Sequence, residues 1–198
     1  MRRILLAAST LVALGAHAAA ADSYSSVYTK LDFKDGCVTI SENEEGAGIT
    51  LRCKGYLDHP VNYAEGDLRA AVTFGEQPAG IQAPWQSFGP WNRVSETVEW
   101  RLKGDQPVAT ILRWFIDNID PATGSADPSR TGNVLVVSRL AGLDGKPGCM
   151  TGLVDARANP DANQIARNIA DMVAPGFDCG TDRPQYHGKR GPYAADPY

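Results

Sequence analysis

Glu65, Asp67 and Arg69 stand at alternate positions, so an extended chain would present all three on one side. Two carboxylates held close together can divide the acid and base work of a hydrolysis, and a guanidinium beside them can hold a polar ligand. This trio is the candidate polar site, and Glu96 and Glu99 form a second pair of carboxylates. The competing account is a solvated, charged strand face that discourages edge-to-edge pairing. Nucleophilic chemistry has less to draw on. Beyond the N-terminal leader described below, the histidines are His59 and His187, and no Gly-x-Ser-x-Gly elbow supplies a serine for either. His59, between Asp58 and Pro60, fits a turn. No His-Glu-x-x-His or Cys-x-x-Cys spacing marks a metal site. The groups Asp117/Asp120/Asp127 and Asp155/Asn159/Asp161/Asn163 lack the loop glycine and closing glutamate of an EF-hand. No catalytic residue, metal or cofactor is assigned.

The run Pro84-Trp85-Gln86-Ser87-Phe88-Gly89-Pro90-Trp91-Asn92-Arg93 offers a different chemistry. Trp85, Phe88, Trp91 and Arg93 are residue types that anchor protein interfaces, and indoles also stack on sugar rings. They are the candidate contacts for a protein or glycan partner. The alternative is that Trp85 and Trp91 close an open end of the core.

These side chains need a scaffold, and the scaffold signal is β. Thr97–Leu102 alternates cleanly, Lys103-Gly104-Asp105 turns, and Val108–Ile116 and Val134–Leu140 are apolar runs bounded by breakers. Val27–Phe33, Val61–Tyr63, Asp67–Phe74 and Cys149–Ala156 add further extended segments, with Trp100 and Trp114 in the core. Between Gly75 and Glu96, prolines and glycines break the pattern, which predicts a long loop folded onto the domain by its own aromatics. One helix is expected after Asn159-Pro160-Asp161, with Asn159 as cap and Pro160 at the first helical position. Ala162, Ile165, Ala166, Ile169, Met172 and Val173 would form its apolar face, and Pro175-Gly176 would end it. The expected fold is α+β: an antiparallel meander with this helix packed on one face, in a single domain over residues 22–179. Residues 180–198 have almost no aliphatic content and read as a disordered tail, in which Tyr186–Tyr193 is a possible adhesive motif.

Arg2 and Arg3, the apolar run from Ile4 to Ala16 and the small residues to Ala21 have the form of a secretory signal peptide, too short to span a bilayer. Residues 1–21 are therefore expected to be removed, and no later segment is apolar enough for a membrane helix. Cleavage would take away two basic residues and no acid, moving the net charge from −4 to −6. Acidity argues against a nucleic-acid partner and fits an exported protein, or one that meets a basic target. All four cysteines, Cys37, Cys53, Cys149 and Cys179, follow the leader, and an oxidising compartment would pair them in one of three ways. Register favours Cys37–Cys53 with Cys149–Cys179, because Cys37–Ser41 and Ile49–Cys53 flank a turn at Glu42–Gly46. Thr39 would then oppose Leu51, and Ser41 would oppose Ile49.

Several stretches, among them Arg52-Cys53-Lys54-Gly55-Tyr56, Ala109-Thr110-Ile111-Leu112-Arg113-Trp114 and Val154-Asp155-Ala156-Arg157-Ala158-Asn159-Pro160-Asp161, resemble a group of small exported proteobacterial proteins of unassigned activity. The resemblance implies a shared fold and export, and no mechanism. The expected function is that of a non-enzymatic periplasmic or secreted binding protein. An inhibitor of a basic, envelope-attacking enzyme is one form of it. The rival is a small hydrolase or carbohydrate-active enzyme using Glu65 and Asp67.

Overall fold

A computed structural model describes residues 23–43 and 47–198; the proposed leader and the tip of the Glu42–Gly46 turn lie outside the described residues. The fold is α+β, with ten strands and one α-helix, of eleven residues, among the described residues. The strands are β1 (Tyr24–Lys30), β2 (Cys37–Glu42), β3 (Gly48–Tyr56), β4 (His59–Gly66), β5 (Arg69–Phe74), β6 (Asn92–Lys103), β7 (Gln106–Ile116), β8 (Gly132–Arg139), β9 (Cys149–Asp155) and β10 (Gln185–Tyr186). They divide into two sheets, ordered β1-β6-β7-β8-β9-β10 and β2-β3-β4-β5. All pairings are antiparallel except that of β10 with β9. The meander is thus split in two, because the chain leaves β5 at Gly75 and crosses over before starting β6.

The larger sheet is apolar on both faces, which fixes the layering. Val98, Trp100, Leu102, Leu112, Trp114, Ile116, Val134 and Val136 point toward the smaller sheet and meet Cys53, Val61, Val72 and Phe74. Phe74 sets its ring edge-on to Trp100 at 5.8 Å, an arrangement favoured by the ring quadrupoles. The sheets approach so closely here that a Cβ on Gly55 would lie 2.2 Å from the His59 carbonyl and 2.8 Å from the Trp100 ring. On the opposite face Ala109, Ile111, Leu135, Val137 and Val154 are covered by α1 (Ala162–Met172) through Ala162, Ala166, Ile169 and Ala170. Met172, expected on that face, is 82% exposed.

Polar groups fix the helix in place. Arg101 donates two hydrogen bonds to Asp171, at 2.8 and 2.6 Å, while Arg167 donates to Glu99 at 2.7 Å. Ser26 links the pairs, donating to Glu99 and accepting from Arg101. Just beyond the same C-terminal end the buried Arg139 donates to the carbonyl of Pro175, and it also reaches that of Leu143. That satisfies carbonyls where the chain leaves the helix. The helix starts later than expected. The Asn159 side chain instead donates to the carbonyls of Asp155 and Lys189 and accepts from the Lys189 amide, leaving Asp161 at the cap position.

The tail, expected to be disordered, is a strap. β10 pairs with β9, the Gly191 amide donates to Asp155, and Asn118 donates to the Tyr193 carbonyl. Its hydrogen bonds come from backbone groups and from Asn, Asp, Tyr and Arg side chains, so an apolar pattern could not reveal it. Both expected disulfides are present, Cys37–Cys53 and Cys149–Cys179. Cys37 opposes Cys53 and Thr39 opposes Leu51 as expected, but a bulge at Ile40 places Ser41 opposite Thr50 rather than Ile49.

Replacing Cys149 and Cys179 together by Ser should lower unfolding stability by about 3–4 kcal/mol, the entropy regained by a cross-link of this span. Denaturant titration of both proteins under oxidising conditions measures it.

Candidate functional site

The segment from Gly75 to Trp91 has little regular structure, yet it is fastened at Gly75–Gln77 and again from Gln86 onward. Asn62 donates to the Gly75 carbonyl, and Arg52 grips Glu76 through both guanidinium nitrogens. The Gln77 side chain accepts from the Gly148 amide, and that of Gln86 accepts from the Met150 amide at 2.7 Å. Ser87 exchanges backbone hydrogen bonds with Tyr198, so the strap reaches this segment too. Phe88 is fully buried and sets its ring edge-on to Trp114 at 5.4 Å. Asn92 closes the segment. Its carbonyl oxygen accepts from the Ala70 amide, and its side-chain nitrogen donates to Ser87, Phe88 and Pro90. Its backbone amide donates to Leu68, so one residue ties the segment to the edge of β5.

The four aromatic-segment candidates therefore part company. Phe88 is an anchor rather than a contact surface. Trp85 and Trp91 are 46% and 42% exposed. Arg93 belongs to β6, lies over the Phe115 ring at 5.0 Å and pairs with Asp117 at 3.0 Å. Neither Trp85 nor Trp91 is a lid sealing the core, since each keeps much of its ring in solvent.

Trp85 walls a cleft of about 250 Å³ on the outer face of the smaller sheet. Residues pointing inward from β3, β4 and β5 fill the core, so the alternate ones, Thr50, Asn62, Ala64, Ala71 and Thr73, face outward and floor the cleft. Gln82, Ala83 and Pro84 complete the wall beside Trp85. The outward-facing floor is made mostly of small side chains, Tyr63 adds to the lining, and the returning segment supplies Trp85. A wider hollow of about 450 Å³ lies beside the Cys37–Cys53 hairpin, lined by Asp35, Arg52, Lys54, Asp58 and His59. It has no aromatic wall, and its Arg52 is already engaged by Glu76.

The polar trio does not assemble as the spacing predicts. Strand β4 ends at Gly66, and Asp67 and Leu68 form a two-residue turn with φ of 50° and 58°. Asp67 therefore leaves the strand face, and its carboxylate binds Arg69. Arg69 also donates to the Gly89 carbonyl at 2.7 Å, making it another fastening of the aromatic segment. Glu65 accepts from the Tyr63 hydroxyl at 2.9 Å. Glu99 is held by Arg167 and Ser26. The Asp117/Asp120/Asp127 group is divided between Arg93 and Arg130. Asp155 accepts from the amides of Arg157, Ala158 and Gly191. Among the described residues no three His, Cys, Asp or Glu side chains are gathered to hold a metal. His59 sits at the Leu57-Asp58 turn, as expected, and His187 lies in the strap, donating its amide to Leu153.

Sequence reasoning missed Asn92 and the fastening role of Arg69. An Asn at the first position of a strand, with Ser and Pro near it, is a loop-capping signal, but nothing in the spacing points to a partner 22 residues upstream.

Asn92→Ala should cost about 2–3 kcal/mol, because it strands the buried Ala70 amide. Urea titration checks this. Burial and the hydrogen bond to Glu65 push the Tyr63 hydroxyl well above its ordinary value of 10.0, and burial does the same for Tyr186. In the unfolded chain both ionise near that ordinary value, so their contribution is complete below pH 10 and falls as the pH rises above it. Stability should decline above pH 10, and Tyr63→Phe should flatten the decline, as followed by unfolding titrations across that range.

No family model, no curated protein and no solved structure matches the chain.

Proposed function

We propose that this is an exported, non-enzymatic binding protein that meets a partner in the cell envelope through the segment from Trp85 to Arg93. The observation that carries the reading is the setting of Trp85: a half-exposed indole, directly before the fastened stretch that starts at Gln86, standing over a largely apolar cleft. An aromatic ring held in place before binding loses little freedom on contact, which is what gives such residues their weight at interfaces. Trp91 and Arg93 extend the same stretch of chain, and Arg93 is stiffened by Phe115 and Asp117.

Export is supported by the two disulfides, which persist in oxidising compartments. The form of the first 21 residues supports it as well. No helix among the described residues is long and apolar enough to cross a membrane. The hydrolase reading has less behind it: Glu65 and Asp67 line a shared hollow of about 320 Å³ with Glu42, but Glu65 is bonded to Tyr63 and Asp67 to Arg69.

The test is co-sedimentation of the purified protein with an envelope fraction. At an envelope concentration that pellets about half of the wild-type protein, Trp85→Ala combined with Trp91→Ala should leave at least about 90% in the supernatant, a tenfold loss of affinity or more. Glu65→Gln and Asp67→Asn should pellet like wild type. A pelleting level unaffected by loss of both indoles would remove the basis of this reading.

A further inference from the structure

We infer that the Trp85 cleft is a saccharide subsite, taking a ring of an uncharged oligosaccharide against the indole. The inference rests on the binding reading above and names the ligand class of that same site.

Three features of the cleft point this way. Its wall and floor carry no acid, lysine, arginine or histidine: they are Thr50, Asn62, Tyr63, Ala64, Ala71, Thr73, Gln82, Ala83, Pro84 and Trp85. The Tyr63 ring is turned inward onto Phe33 and its hydroxyl is committed to Glu65. Arg52, which stands opposite Asn62 in the sheet, is already paired with Glu76. A charged ligand would find no counter-ion here and would lose hydration on entering.

Second, the cleft keeps unspent hydrogen-bonding capacity beside apolar surface. Asn62 uses its side-chain nitrogen on Gly75, which leaves its carbonyl oxygen free to accept. Thr50, Thr73 and Gln82 line the same space with two hydroxyls and an amide. A purely apolar ligand would leave these groups without partners, at a cost for each. A pyranose ring matches both demands, with an apolar C–H face for the indole and hydroxyls around its edge for the neutral polar groups.

Third, size and shape favour a ring over a protein surface. A volume of about 250 Å³ is below the range of ~300–1,000 Å³ usual for drug-sized ligands, and suits one or two sugar rings. The floor of Ala64, Ala71, Thr50 and Thr73 is recessed because its side chains are small. A protein interface would instead need a broad contact of roughly 800 Å² on each partner.

The test uses chitotriose, maltotriose and cellotriose as neutral probes and fully deacetylated chitotriose as a cationic one, with binding read by calorimetry and tryptophan fluorescence. At least one neutral trisaccharide should bind with a dissociation constant on the order of 0.1–1 mM. The cationic trimer should bind at least ten times more weakly than chitotriose. Trp85→Ala should weaken binding tenfold or more and Thr73→Val severalfold, while Met172→Ala, on the far side of the molecule, should change nothing. Ala71→Leu fills the floor while leaving every residue of the aromatic segment in place and should also abolish binding. That variant keeps the test decisive if Trp85→Ala perturbs the fold. Absence of heat and fluorescence change with every neutral trisaccharide at about 10 mM overturns the inference. So does binding that survives both Trp85→Ala and Ala71→Leu. If the envelope fraction still retains the protein through Trp85 after such a result, the saccharide is wrong and a protein ligand is left. If retention is also missing, the binding reading itself falls.

Discussion

The larger sheet is apolar on both sides, and the rest of the molecule follows from that constraint. A sheet with one wet face can stop at a single covering layer, whereas this one needs two. The helix covers the face of Ala109, Ile111, Leu135 and Val137, and the smaller sheet covers the face of Trp100, Leu112 and Trp114. Consecutive strands β2 to β5 are made before β6, so the chain must travel from the far layer back to the central one. The Gly75–Trp91 segment is that journey. Its route over the outer face of the smaller sheet creates the cleft, and the small residues beneath it give the cleft its depth. The candidate site is thus a product of the layer architecture rather than an addition to it.

Connections of this kind usually move, and this one is held by side chains of Asn62, Arg52 and Arg69 and by backbone amides that its own Gln77 and Gln86 accept from. Asn62 and Arg52 come from the smaller sheet, Gly148 and Met150 from the start of β9, and Arg69 from the turn end of β5. The polar trio that suggested acid–base chemistry contributes one of these fastenings. Charges read as reactive are here spent on positioning, which is the commoner fate of an Arg beside an Asp.

Much of the fold was legible in the sequence. Alternation located the strands, because one inward residue in two must be apolar whatever the sheet they join. It could not say which sheet each strand joins, since that depends on the Gly75 crossover and the contact of β5 with Asn92. The disulfide pairing followed from hairpin register; the bulge at Ile40 shifted only the far end. The Asp67-Leu68 turn was hidden because leucine seldom accepts a positive φ, so an extended reading across it was natural. Asn159 looked like a helix cap by type and by the Pro after it, but Asp155 and Lys189 compete for its amide. For the site, composition exposed the aromatic segment but not the division of labour within it. Phe88 and Trp85 have similar neighbours in sequence, and only the three-dimensional register puts one on Trp114 and the other in solvent.

The hydrogen bonds between Ser87 and Tyr198 join residues more than a hundred positions apart, and they have a kinetic meaning. Hairpins β2 to β5 close through short loops and can form as soon as they are synthesised. The aromatic segment has to wait for the last stretch of chain, whose arrival carries a much larger loop-closure entropy. Refolding should therefore give an early species with the four-stranded sheet in place and both exposed indoles still unlocalised. Completion of the surface at Trp85 would be among the final events on the pathway.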